Sequence, residues 1–188
     1  MSITAAVFAS MLMLQDETGT AVAKPIGEVH LEPQSGSYFQ IFEFLGRPPH
    51  TWRHAERMVK GYHYQEREGR LAAIKTSGIH YFLLTHFPDL NFKKMWIGLQ
   101  VVCKETAEIT WVDGSSLADQ SFRAWNAGTS RTISRTCREQ KHSNKKYPVY
   151  YETHELGVRW EIGQENMNLT HMMVEFPVSE TEAQPEEG

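Results

Sequence analysis

Residues 95–114, MWIGLQVVCKETAEITWVDG, constrain the fold more than any other stretch of the chain. Trp96-Ile97-Gly98-Leu99 and Ile109-Thr110-Trp111 flank a polar turn, and the second run leads into the turn-forming pair Asp113-Gly114. Short runs rich in aromatic and β-branched residues and closed by Asp-Gly read as paired strands rather than helix. The chain is therefore expected to be organised around a small antiparallel sheet.

The rest of the chain supplies elements to pack on that sheet. Residues 5–14 and 20–31 are strand-like with a turn between them, which predicts a leading hairpin. Tyr38 to Phe44 alternates as a strand does. Thr51 is placed to cap a helix whose Trp52, Ala55, Met58, Val59 and Tyr62 fall on one face, and Ser77 a second with Ile79, Phe82, Leu83 and Phe87. Further short strands are expected at residues 149–151, 159–161 and 172–176. Residues 115–147 show little periodicity and read as a long polar loop of the kind that carries function. Beyond Val178 the chain holds four glutamates and no large apolar residue, so an acidic, unstructured tail is expected over 178–188.

An apolar fraction of 40%, a charged fraction of 22% and a net charge of −4 carry no bulk signal for nucleic acid or membrane. The early apolar run, AAVFASMLML, has no basic residue ahead of it and is too short to span a bilayer, so it reads as a strand rather than a signal peptide. Cys103 and Cys137 allow at most one intramolecular bridge, fewer than a disulfide-dependent secreted module usually carries. A cytoplasmic setting is expected.

Strand, helix, Gly69-x-Leu71-Ala72-x-Ile74, helix, Trp96-Ile97-Gly98-Leu99, Trp111-x-Asp113-Gly114, a long loop with Trp125 and Gly128, Trp160, and a terminal strand with Glu175 follow one another in an order that resembles the C-type lectin-like domain. The resemblance covers residues 38–177, leaving 1–37 as an N-terminal extension. It implies an α+β fold with two helices on small antiparallel sheets, adjacent first and last strands, and a long binding loop. The family's usual cysteine pair linking the first helix to the terminal strand corresponds to Val59 and Val174, and the loop pair is also missing, Glu165 standing near one of its positions. A disulfide-free version is therefore expected. Sugar binding in the family uses calcium held by loop carboxylates and amides. Here Thr129-Ser130-Arg131 follows Trp125-Asn126-Ala127-Gly128, and Trp160-Glu161-Ile162 stands at the second position, too few oxygens for an ion that takes six to eight. No calcium and no other cofactor is expected.

Within the long loop, residues 131–146 carry Arg131, Arg135, Arg138, Lys141, Lys145 and Lys146 against Glu139, a net +5 in a chain of net −4. Such a segment is either a solvated surface or an electropositive face for an acidic partner. No aromatic residue interleaves residues 131–146, which argues against nucleic acid. The resemblance and the charge together imply a non-enzymatic, calcium-independent module that binds another protein. Its contacts are expected from Arg123, Trp125, Arg131, Arg135, Arg138, Lys145, Lys146 and Trp160, the tryptophans as partly exposed anchors. The alternatives are an adaptor or structural subunit of a larger assembly, of secretion-system or phage-tail type, and a binder of anionic polysaccharide or nucleic acid. An enzyme reading rests only on Cys137, whose neighbours Arg135 and Arg138 would favour its thiolate. Nine histidines form no zinc motif: His50 falls outside the first helix, and His80 and His86 point apart on the second.

Overall fold

The computed structural model describes residues 22–141 and 143–178. In order the elements are β1 (Ala23–Leu31), β2 (Tyr38–Phe44), α1 (Trp52–Met58), β3 (His63–Tyr64), β4 (Arg67–Glu68), β5 (Arg70–Leu71), α2 (Ser77–His86), β6 (Met95–Cys103), β7 (Ala107–Trp111), α3 (Thr129–Glu139), β8 (Lys145–His154), β9 (Gly157–Ile162) and β10 (His171–Phe176). The fold is α+β. One sheet runs β1-β2-β10-β6-β8-β9, with β7 paired to β6 and β5 to β10, and β3–β4 forms a separate hairpin. Leu99 of β6 faces Trp111 of β7, so the two tryptophan-bearing runs pair as expected. β2 and β10 lie side by side, which sets the first strand of the C-type lectin-like pattern against its last.

Alternation along the strands gives the sheet two apolar faces. Ile41, Met95, Ile97, Val149, Tyr151 and Met173 join one cluster, beneath α2 and α3. Phe42, Trp96, Tyr150, Met172 and Val174 join the other, beneath α1. Thr51 caps α1 as its sequence implied, accepting a hydrogen bond from the His54 amide, whereas α2 is capped by Thr76, one residue ahead of Ser77. The Trp52 indole donates to the Ile97 carbonyl at 2.7 Å, fixing α1 on the central strand. Gly98 is required by close approach: a Cβ there would meet the Leu71 carbonyl oxygen at 2.5 Å, where β5 crosses β6.

A charged network closes the same junction. Glu175, almost fully buried on β10, accepts two hydrogen bonds from Arg70, at 3.1 and 3.0 Å, together with one from Ser37 and one from the Ala73 amide. Arg70 also pairs with Asp113 at 3.3 Å, and Asp113 with Lys75. Burial alone would raise the Asp113 carboxyl, but its bonds from Lys75 and Ser115 outweigh this and hold it at about 2.

Two expectations are corrected here. The 115–147 region is not a structureless loop, because it contains α3. The domain is not disulfide-free: Cys103 of β6 and Cys137 of α3 are bonded. Helix α3 carries Cys137 back over β6, an approach that a loop reading of the segment could not anticipate. The expected hairpin partner at residues 5–14 lies outside the described residues, as does all but the first residue of the 178–188 tail, and β1 pairs with β2. Val59 and Val174, at the positions of the family's cysteine pair, are both buried in the cluster beneath α1.

Candidate functional site

Helix α3 starts from Gly128, whose φ of +90° suits glycine and turns the chain into the helix. Thr129, Ile133 and Cys137, at intervals of four, form its buried face. No side chain caps its N-terminus and its first turn contains no acid. Glu161 of β9 lies beside this end, accepting hydrogen bonds from the Asn126 carboxamide at 2.6 Å and the Thr129 hydroxyl at 3.0 Å. Its carboxylate thereby sits near the positive end of the helix dipole. The segment leading into α3 is zipped to β9, with the Trp160 amide donating to Ala124 at 2.7 Å and the Asn126 amide to Trp160 at 3.1 Å. Beneath it the Trp160 ring meets Trp111, Phe122 and Trp125 edge-on, with centroids 5.6, 5.5 and 5.3 Å away. The disulfide at Cys137 ties the far end of the helix to the sheet.

On the opposite side of α3, Arg131, Arg135 and Arg138 recur at i, i+4 and i+7 and are exposed. No acidic side chain pairs with any of these three guanidinium groups among the described residues. Like charges three or four apart on one helix face destabilise it by roughly 0.2–0.5 kcal/mol per pair. Lys145 and Lys146 begin β8 next to this helix, both exposed, with the Lys145 ammonium 5.5 Å from the centroid of the Tyr147 ring. Arg123 is held against its own backbone, donating to the carbonyls of Gln120 and Phe122.

The structure thus places Arg131, Arg135 and Arg138 together on one rigid surface, which spacing of this kind within 131–138 could have revealed. Trp125 is half-buried, one edge against Trp160. Trp160 itself is fully buried, so it supports the surface from below and presents nothing to a partner. Cys137 is bonded and buried, which removes the thiolate nucleophile considered for it. His50 lies outside α1 as expected and stacks on Phe44 at 4.9 Å, while His80 is buried on α2 with its ring nitrogen 2.8 Å from the Tyr151 hydroxyl. Burial, with Arg159 nearby, lowers His80 to about 4. Among the described residues no three His, Cys, Asp or Glu side chains converge as a metal site would require.

No protein-family model matches this sequence, and no curated protein matches it. Among solved structures the chain is similar to EMS16, an antagonist of the collagen receptor integrin alpha2beta1 (GPIa/IIa), with 20% identity and a TM-score of 0.45 over 76% of this chain and 92% of that one. It is also similar to rhodocetin, with 14% identity and a TM-score of 0.43 over 88% of this chain and 100% of the other.

Proposed function

We propose that this chain is a non-enzymatic, calcium-independent protein-recognition module whose binding face is the outer surface of α3. The observation that carries this reading is the row Arg131, Arg135 and Arg138, which no acidic side chain among the described residues neutralises, on a helix pinned at both ends. Arginine and aromatic side chains supply most of the energy at protein interfaces, and a pre-ordered helix loses little entropy on binding. Arg123, the exposed part of Trp125, Lys145 and Lys146 extend the face. An acidic surface on another protein is the complementary partner. Calcium independence is supported at the position where the family's ion would sit: Glu161 is engaged by Asn126 and Thr129, and Ile162 and Arg131 offer no oxygen ligands in their side chains.

The test is affinity purification of the tagged protein from its native cell beside a variant with Arg131, Arg135 and Arg138 changed to Glu, first shown by circular dichroism to be folded. A discrete protein retained by the wild type and lost from the variant is the expected result. The same protein held equally by both would move the interface to the sheet and favour the assembly-subunit alternative. Salt-labile retention of polysaccharide or nucleic acid with no discrete protein would replace the reading with a polyanion binder.

A further inference from the structure

Two clefts adjoin beside α3. One, of about 310 Å³, is lined by Arg53, Glu56, Arg57, Gln100, Lys146 and Glu165 among others. The other, of about 890 Å³, has Thr132 and Thr136 of α3 on one wall, with Lys145, Tyr147 and again Glu165 around it. Because Glu165 lines both, they form one groove running from the exposed side of α1, past the start of β8, to the base of the α3 arginine row.

Two features of this groove point to its occupant. The first is Glu165, whose carboxylate sits 2.9 Å from the Arg53 guanidinium with both side chains open to solvent. The protein's own carboxylate thus occupies an anion position on α1, while no acidic side chain pairs with Arg57, Lys145 or Lys146 among the described residues. The second is the balance of charge along its walls, where Arg53, Arg57, Lys145 and Lys146 stand against Glu56 and Glu165. Four cations against two carboxylates suit a ligand that brings carboxylate side chains.

We infer that this groove binds an acidic segment of the partner protein, whose carboxylates displace Glu165 from Arg53. The inference rests on the protein-recognition reading above and extends its site from α3 to α1.

Fluorescence anisotropy with a labelled octaglutamate peptide tests it on the full chain at low and high salt. Glu165→Gln removes the competing carboxylate and is expected to tighten binding about two- to five-fold, the range of an exposed ion pair. Arg53→Gln with Lys146→Gln is expected to weaken it about five- to ten-fold. Glu155→Gln, an exposed carboxylate in the β8–β9 turn, removes the same charge away from the groove and should leave affinity unchanged. Glu165→Gln that binds no tighter than Glu155→Gln overturns the inference. If the α3 triple variant abolishes binding while the groove variants match wild type, the groove fails and recognition by α3 stands. If neither set responds, both readings fail. A chain ending at residue 178, which lacks Glu180, Glu182, Glu186 and Glu187, is expected to bind as the full chain does. Much tighter binding by it would make the chain's own acidic segment the occupant and overturn assignment to a partner.

Discussion

Reduction of the Cys103–Cys137 bond is expected to destabilise the whole domain and to release α3 first. The two cysteines are 34 residues apart in sequence, and in the chain-entropy description a closed loop of that length stabilises by about 4 kcal/mol. For a domain of this size each kcal/mol shifts the melting temperature by roughly 2–4 °C, so the reduced protein should melt about 8–16 °C lower. Local consequences should be larger than the global figure. Without the bond α3 retains only Thr129 and Ile133 as buried anchors besides Cys137 itself, and its Ser- and Thr-rich sequence has little helix propensity of its own. Scanning calorimetry of the oxidised protein, the reduced protein and a Cys103→Ala/Cys137→Ala variant measures the first effect. Amide hydrogen exchange across residues 129–139 measures the second. Oxidised and reduced forms that melt together and protect α3 equally would refute the claim that this bond holds the helix.

Arg70→Met leaves the buried Glu175 carboxylate without its counter-charge and should cost about 3 kcal/mol in urea denaturation, as breaking a buried pair from one side does; a loss under 1 kcal/mol would mean that Ser37 and the Ala73 amide suffice. His80, lowered by burial to about 4 from an ordinary 6.5, contributes stability that is complete above pH 6.5 and is lost as pH falls towards 4. The melting temperature should therefore decline across that window, and a His80→Phe/Tyr151→Phe variant should decline less; an equal slope would assign the titration elsewhere. Asp113, held at about 2 against an ordinary 3.8, adds a second loss between those values, which Lys75→Met should diminish. Millimolar calcium should leave the melting temperature unchanged in a thermal-shift assay, since an ion that binds the native state must raise it.

Much of the architecture was legible because it is carried by residues whose periodicity has few readings. The β2 strand, the α1 cap at Thr51 and the β6–β7 pair follow from alternation, a capping threonine and tryptophan-bearing runs around a turn. Helix α3 was not legible by those means. Its buried positions are Thr129, Ile133 and Cys137, so only Ile133 registers as apolar in a scan for hydrophobic period, and the surrounding Ser, Thr and Arg residues mask the interval of four. The Cys103–Cys137 bond depended on seeing that helix, because only the helix directs residue 137 at the sheet. Trp160 was misplaced for a related reason: its threefold aromatic packing draws on Trp111, Phe122 and Trp125, which are separated in sequence and converge only when the 124–126 segment zips to β9. The groove was illegible altogether, since Arg53, Gln100, Lys146 and Glu165 come from four different segments.

The placement of the disulfide follows from how the two helices are held. Val59 and Val174 occupy the positions where the resemblance implies a bond between the first helix and the terminal strand, and burial of each valine supplies about 1.5–3 kcal/mol of attachment. Helix α1 also buries Trp52 and Ala55 and is hydrogen-bonded to Ile97, so it stays in place without a covalent tie. Helix α3 buries far less and carries three repelling guanidinium groups on its outer face. It is the element that needs the bond, and it is the element proposed to bind. If the bond serves presentation of the arginine row, partner release and loss of α3 protection should share one midpoint in a titration with reductant. Separate midpoints would show that the bond stabilises the domain without ordering its binding face.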